Sequence, residues 1–333
     1  MRRGSIALML WPLSLLFRAL VTFRRGLYAF GLLRSSRLPV PVVVVGNIFV
    51  GGTGKTPLVI GLAQALRDAG LHPGIISRGY GANSAQPTLV TATSPPQQVG
   101  DEPLLMAQRT ACPVVVGRDR VAAGKALLMA HPDVNLIISD DGLQHYALKR
   151  DVEIVLFDDR GIGNGWMLPA GPLREPPSRW RDITVVNGSR APDNSDDVAF
   201  MQLVGNSAEK LADRSQRVAL TDLPDIIKNK TGRAPKLLAA AGIGNPGRFF
   251  DLLHKAGLAF EELPLPDHFD YKTSPFINKD AEIILITEKD AVKCALFEPP
   301  EVIGRLWVVP VTAQLDAGLA KRIVERCRGS RIA

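Results

Sequence analysis

The segment Val50-Gly51-Gly52-Thr53-Gly54-Lys55-Thr56 could hold a chain of phosphates. It follows a wholly apolar run (residues 42–45) and precedes a helical pattern, the strand–loop–helix layout of a nucleotide-phosphate loop. Gly51, Gly52 and Gly54 let the backbone turn its N–H groups around an anion with no Cβ in the way. Lys55 can reach the β- and γ-phosphates of ATP, and the Thr56 hydroxyl can ligate Mg²⁺. The full pattern Gly-x-x-x-x-Gly-Lys-Ser/Thr asks for glycine six residues before Lys55, where this chain has Phe49.

A second apolar run ends in two carboxylates, Leu136-Ile-Ile-Ser-Asp140-Asp141. A strand parallel to the loop strand would deliver such an aspartate to Mg²⁺, and adjacent carboxylates repel unless a cation sits nearby. Asp158-Asp159 ends the next strand and is a weaker candidate. In Gly100-Asp101-Glu102-Pro103, Asp101 is open to two readings. It is either a helix N-cap or a general base that takes a proton from a substrate hydroxyl. Phosphoryl transfer also needs positive charge around the equatorial oxygens. Arg78, Arg118, Arg120 and Arg174 all fall in loops at or beyond strand ends. Gln144 and His145 follow the Asp-Asp-Gly run, and His268 lies in a charged, aromatic loop. Gly242-Ile-Gly244-Asn-Pro-Gly247 matches Gly-x-Gly-x-x-Gly between a strand and a helix, with Glu261 or Glu262 near the distance of a ribose ligand. Pro246 inside that turn is unusual for dinucleotide binding.

Apolar runs without alternation must position these groups. Residues 42–45, 74–77, 113–116, 136–139, 153–157 and 183–186 read as strands buried on both faces. Leu58, Val59, Leu62, Ala65, Leu66 and Ala69 fall at helical spacing, and Gly70 stops that helix. The pattern predicts an α/β fold, a doubly wound and mostly parallel sheet over residues 38–197. A linker with weak short strands (198–235) and a second, smaller α/β domain (236–330) follow.

At 333 residues and 46% hydrophobic content the chain can build two ordinary cores. Three distant cysteines with no Cys-x-x-Cys or Cys/His cluster indicate neither a disulfide framework nor a zinc site. Arg2, Arg3, Arg18, Arg24, Arg25, Arg34 and Arg37 place seven positive charges in residues 1–37, which hold no Asp, Glu or Lys. The net charge of the whole chain is also +7, so the remainder is neutral and no nucleic-acid footprint is present. The uncharged stretch of residues 5–17 falls short of the ~20 residues that span a bilayer. Arginines among Trp, Phe and Leu suggest a helix (residues 1–37) lying in a membrane interface. A helix packed on the protein's own core and a signal peptide are the alternatives, and no convincing small-x-small cleavage site supports the latter.

Nine motifs occur in one order: Gly46-Asn47, Val50 to Pro57, Ser77-Arg-Gly-Tyr80, Gly100-Asp-Glu-Pro103, Asp140-Asp-Gly-Leu-Gln-His145, Leu168-Pro-Ala-Gly-Pro-Leu-Arg-Glu175, Gly242-Ile-Gly-Asn-Pro246, Pro266-Asp-His268 and Thr287-Glu-Lys-Asp-Ala291. Together they resemble the tetraacyldisaccharide 4′-kinase family of lipid A biosynthesis. The resemblance implies ATP-dependent phosphorylation of the 4′-hydroxyl of a lipid A precursor, a tetraacyl disaccharide 1-phosphate. It implies work at the cytoplasmic face of the bacterial inner membrane, attachment to the membrane surface through the N-terminal helix, and a cleft between two α/β domains. It carries an Asp–His base pair onto Asp101 and His268. Nucleotide contacts map to Val50, Gly51, Gly52, Thr53, Gly54, Lys55 and Thr56, and Mg²⁺ contacts to Thr56, Asp140 and Asp141. Arg78, Arg120, Gln144 and Arg174 match substrate or charge-stabilising positions. Phe269 stands where the family often has a second histidine, which leaves His268 as the one imidazole of this loop. No obligate protein partner is indicated.

The rival from another class is a membrane-associated P-loop ATPase switch with no phosphorylated small substrate. Such proteins often carry a lysine five residues before the loop lysine, and that position is Val50. A GTPase would want Asn-Lys-x-Asp, which Thr287-Glu-Lys-Asp290 is not.

Overall fold

Four valines and a glycine make β1 (Val42–Gly46), and every one of them is buried. The computed structural model describes residues 3–79, 86–192, 195–225 and 235–329. Further strands are β2 (Pro73–Ser77), β3 (Thr88–Val90), β4 (Val114–Val116), β5 (Leu136–Asp140), β6 (Val152–Asp158), β7 (Ile183–Asn187) and β8 (Val198–Val204). Next come β9 (Ser207–Lys210), β10 (Asp213–Ala219), β11 (Leu237–Ala241), β12 (Glu261–Pro264), β13 (Ile283–Thr287), β14 (Leu306–Val309) and β15 (Thr312–Leu315).

They form two sheets. The first has the order β15-β8-β7-β6-β1-β5-β2-β4-β3. β1 pairs in parallel with β5 on one side and β6 on the other, and β3 runs antiparallel to β4. The chain leaves β1 toward β2, then crosses back over β1 between β5 and β6, so the order reverses at β1. Ligands bind beyond the carboxyl ends of strands at such a switch point. The second sheet has the order β10-β9-β14-β13-β11-β12, with β11 to β14 parallel and the β9–β10 hairpin antiparallel at one edge.

The chain divides into two compact units, Met1–Gln202 with Ala313–Ala333, and Leu203–Thr312. This grouping differs from the sequence expectation in two places. The stretch expected as a linker supplies β8 to the first sheet and β9–β10 to the second. The last helix, Leu319–Gly329, expected in the second domain, belongs to the first unit. Its buried Leu319, Ile323 and Cys327 lie at helical spacing, and Arg326 pairs with Asp197 (2.8 Å) and Asp182 (3.6 Å).

Helix α1 (Ser5–Ala29) runs unbroken for 25 residues through Pro12 and Arg18. It is therefore long and apolar enough to cross a membrane, although its uncharged part, residues 5–17, is too short to do so alone. One stripe of it (Ala7, Leu10, Ser14, Phe17, Val21, Arg25, Tyr28) is turned away from solvent. Phe17 and Val21 pack on the first unit's core, and the Ser14 hydroxyl donates to the carbonyl of Met167 (2.8 Å). Trp11 meets Trp166, and Tyr28 meets Tyr146. The other face shows Ile6, Leu8, Met9, Leu13, Leu16, Leu20 and Phe23 to solvent.

Candidate functional site

α2 (Lys55–Asp68) starts directly from the loop after β1, with Gly54 at its N-cap in the left-handed region (φ 97°), which a side chain at that position would strain. The loop is braced from inside by Asn47, which is fully buried. Its Nδ2 donates to the carbonyl of Phe49 (2.7 Å) and to Thr53 Oγ1 (3.0 Å). Its Oδ1 accepts from Lys55 Nζ (3.0 Å). Phe49 now has an explanation. Val50 N donates to Pro172 O (2.9 Å) and Arg174 N to Ile48 O (2.7 Å), so residues 48–50 pair with the Leu-Pro-Ala-Gly-Pro-Leu-Arg-Glu segment as a small ladder. A β-conformer with a packing side chain serves there better than glycine does.

Arg160 is the outer brace. It is bidentate on the buried Asp158 (2.7 to 3.1 Å), donates to Gly52 O (2.9 Å), and lies 4.3 Å from the Phe49 ring centre. Asn187, at the end of β7, donates to Thr53 O (3.0 Å). Asp158 is thereby occupied, and Asp159 Oδ1 accepts from Ser189 N (3.1 Å), so neither of the weaker acidic candidates faces the loop as a spare ligand.

β5 brings Asp140 alongside Val45 of the loop strand. Asp140 is buried. Oδ2 accepts from Ser77 Oγ (2.9 Å), and Oδ1 has no hydrogen-bond partner. Burial pushes its pKa up to about 7, with the charges of Glu102 and Asp141 adding to the rise and Lys55 opposing it. Asp141 goes the other way. Burial would raise its pKa, but Lys55 (3.7 Å) and Arg174 (3.2 Å) outweigh that and hold it below the usual carboxylate range. Arg120 opens the helix Arg120–Ala130 behind the N-cap Asp119 and is itself buried. Nη1 donates to Gly117 O (2.7 Å) and Nη2 to Asp140 O (3.3 Å), and burial lowers its pKa.

Among the expected residues the structure thus brings together Lys55, Asp140, Asp141, Arg174 and Arg120. Thr56 is the second residue of α2, and Gly51, Gly52 and Thr53 line the loop while Val50 is more open. Arg78 stands exposed after β2, close enough to Arg120 to lower its pKa by charge. Gln144 Nε2 donates to Glu175 Oε1 (2.8 Å). Glu175 and Glu153 are held by buried Arg179, and Arg150 reaches the carbonyls of Leu143 (3.0 Å), His145 (2.8 Å) and Leu148 (3.2 Å). This buried ion network fixes the loop that carries Asp141 and Gln144. Asp101 is not the N-cap. Gly100 (φ 90°) takes that position, and Asp101 is the buried first residue of the helix Asp101–Thr110. No group of three or more His, Cys, Asp or Glu among the described residues is arranged to hold a metal by itself.

His268 lies in the second unit, in the left-handed region (φ 60°), as does Tyr271 (φ 56°). Lys293 Nζ clamps the loop through the carbonyls of His268 (3.2 Å) and Phe269 (2.9 Å). Lys289 Nζ is 3.3 Å from His268 Nε2 and 3.0 Å from Asp267 Oδ1. The Gly-x-Gly-x-x-Gly turn beside it is filled. Gly242 N donates to Asp290 Oδ2 (3.0 Å), and His268 N donates to Gly242 O (3.2 Å). Glu262 contacts His254 (3.2 Å), and Glu261 pairs with Lys279. This overturns the dinucleotide alternative. Of these residues, sequence reasoning missed Arg160 and Asn187, and it named Asn47 only within a motif and without a role; all three side chains act on the loop from outside its pattern.

The family model described as tetraacyldisaccharide-1-P 4′-kinase matches residues 6–328. The chain is 61% identical over 333 residues to the tetraacyldisaccharide 4′-kinase of Janthinobacterium sp. (strain Marseille), covering 100% of this chain and 95% of that one. It is 58% identical to the same enzyme of Herminiimonas arsenicoxydans, again over 100% of this chain and 95% of the relative. Among solved structures, the "apo" form of LpxK from Aquifex aeolicus in complex with ATP superposes with a TM-score of 0.78 at 30% identity, covering 96% of this chain and 99% of that one. With its motifs matched from one end to the other, this chain belongs to the tetraacyldisaccharide 4′-kinase family.

Proposed function

We propose that the protein transfers the γ-phosphoryl group of ATP to the 4′-hydroxyl of a tetraacyl disaccharide 1-phosphate, the lipid A kinase reaction. One observation carries the reading. Lys55 stands between Asn47 and Asp141 at the mouth of the loop, beside a buried Asp140 with an oxygen to spare. That oxygen and the Thr56 hydroxyl fit a cation that keeps part of its water and takes phosphate oxygens for the rest. Thr56 and Asp140 would hold Mg²⁺, with Asp141 beside them, and the ion would supply charge neutralisation at the β- and γ-phosphates.

The protein's own groups do the remaining work. Lys55 orients the β- and γ-phosphates. Arg174 and Arg120, with Arg78 and Gln144 near them, stabilise charge that grows on the equatorial oxygens and position the sugar. Asp101 and His268 handle the proton of the 4′-hydroxyl, as the family resemblance implies. Asp101 is the first residue of its helix and is buried. The strained backbone at His268, about 1–3 kcal/mol per residue held in a sparse region, is of the kind that clusters at active sites.

α1 attaches the protein to the cytoplasmic face of the bacterial inner membrane. One stripe is docked on the first unit through polar and apolar contacts, so the helix lies along the surface with its outer apolar face in the lipid. Replacing Met9, Leu16 and Leu20 (77%, 58% and 58% exposed) by serine weakens vesicle binding by at least about tenfold and leaves ATP affinity unchanged. Equal loss of both assigns α1 to the core instead.

The test of the reaction is transfer of label from γ-labelled ATP to the disaccharide 1-phosphate in detergent micelles, with wild type beside Asp101→Ala and His268→Ala. Labelled lipid with wild type, and severe loss with both variants, supports the reading. ATP hydrolysis without labelled lipid would replace it by a membrane ATPase switch.

A further inference from the structure

A cleft of about 370 Å³ opens at the foot of α1, away from the phosphate loop. Its walls are Arg25, Tyr28, Arg37, Tyr146, Lys149 and Trp180, and none of Lys55, Asp140, Asp141 or Arg174 lines it. Part of its positive charge is already used. Arg37 is paired with Asp151 (2.8 Å), and Arg150 and Arg179 at the back are neutralised by Glu153 and Glu175. Two cations remain. Among the described residues, neither the Arg25 guanidinium nor the Lys149 ammonium makes a hydrogen bond or ion pair. The cleft therefore presents close to two uncompensated positive charges.

The setting narrows what such a cleft takes. It adjoins the end of a helix whose outer face is apolar and exposed, so its mouth lies at the level of lipid headgroups in the proposed orientation. Trp180, 66% exposed, and Tyr28 are amphipathic rings of the type that sit at that level. The C-terminal dipole of α1 opposes an anion here, but its last carbonyls are occupied. Phe30 N donates to Gly26 O (2.9 Å), Leu33 N to Leu27 O (3.1 Å) and Gly31 N to Tyr28 O (3.1 Å).

We propose that this cleft binds the phosphate of an anionic phospholipid headgroup, with Arg25 and Lys149 as its ligands and the acyl chains running beside α1. It is a membrane-docking site separate from the reaction centre, and the proposal rests on the surface orientation of α1 given above. A phosphodiester carries one negative charge spread over two non-bridging oxygens, one for each cation, and no reacting group stands near.

The test uses the full chain and vesicles of phosphatidylcholine with or without phosphatidylglycerol, read by co-sedimentation. Wild type prefers the anionic vesicles. Arg25→Gln/Lys149→Gln loses that preference by about 30-fold, from ~1 kcal/mol for each cation removed at the surface. Its turnover of the disaccharide 1-phosphate in neutral detergent micelles stays at the wild-type level. The charge-matched pair Arg18→Gln/Arg34→Gln, outside the cleft, loses less. Equal losses in the two pairs would mean diffuse attraction and would overturn the site. A raised KM for the disaccharide in neutral micelles would overturn it too, by assigning the cleft to the substrate's own phosphate. Wild type that ignores both vesicle types removes the surface orientation and the site together, while the kinase reading stands or falls separately on labelled lipid.

Discussion

Two glycine-rich turns, each leading from a fully buried parallel strand into a helix, have opposite interiors. After β1, the turn is braced from the side by Asn47, Arg160 and Asn187, and the charge delivered to its mouth is the Lys55 ammonium. After β11, the turn is filled. The Asp290 carboxylate accepts from Gly242 N, and a Cβ added at Gly242 would lie 2.7 Å from Asp290 Oδ1. Glycine in the first turn serves backbone direction. In the second, Gly242 serves close packing against a carboxylate, which would repel a phosphate. The spacing of glycines does not separate these cases. What separates them is the side chain that a neighbouring element brings to the turn.

The largest effect that would break this contrast is at Lys55. Lys55→Ala lowers phosphoryl transfer by about 10²–10³ or more, the scale of losing a charge-stabilising donor, with far-UV circular dichroism unchanged. Activity within a few-fold of wild type would place the first turn in the same structural class as the second. Arg160→Gln comes next. It leaves Asp158 buried without its bidentate partner and frees Gly52 O and the Phe49 ring, so the loop loses its outer brace. The expected result is a rise in KM for ATP of about tenfold, with kcat changed far less, and partial rescue by Arg160→Lys. A matched fall in kcat at constant KM would show that Arg160 acts on the transition state rather than on the loop.

How far the sequence announces all this depends on whether the information is local. The wholly buried strands β1, β5 and β7 stand out because both faces are apolar, and the Gly-Lys-Thr turn and the Asp-Asp strand end follow from them. The edge strands do not stand out. β10, Asp-Arg-Ser-Gln-Arg-Val-Ala, is exposed along almost its whole length and has no pattern to read. The braces of the loop are equally hidden. Arg160 lies 108 residues from Gly52, and Asn187 lies 134 from Thr53, so only the folded sheet brings them together. Phe49 reads as a departure from the loop pattern because its partner, the ladder with residues 172–174, is remote in sequence. For α1 the residue types suggest one helix through Arg18, Arg24 and Arg25, which the fold forms over Ser5–Ala29, but the stripe that docks on the first unit depends on remote partners such as Met167 and Tyr146.

The second turn supplies the smaller tests. Gly242→Ala forces Asp290 Oδ1 away from 2.7 Å and also meets Phe269 Cβ and Pro266 O at 3.3 Å. Overpacking of this kind costs about 1–3 kcal/mol. The second unit's urea transition moves to lower concentration while ATP affinity stays the same. A loss of nucleotide binding with unchanged stability would revive a ligand role for this turn.

The smallest effect has the opposite sign. In a dinucleotide turn the third glycine lets the helix pack closely on its strand. Here that position is Gly247, the second residue of the helix Pro246–Lys255, and the nearest atom to an added Cβ is Asn245 Oδ1 at 3.6 Å, an ordinary contact. Nothing in the fold requires glycine there. Gly247→Ala removes backbone freedom from the unfolded chain and adds a better helix former, which stabilises by about 0.4–1 kcal/mol. The same substitution in a turn built for a pyrophosphate would clash and destabilise. An upward shift in the second unit's unfolding midpoint, at full kinase activity, makes the match to Gly-x-Gly-x-x-Gly a coincidence of spacing, because a packing requirement at Gly242 and an indifferent site at Gly247 cannot belong to one functional motif.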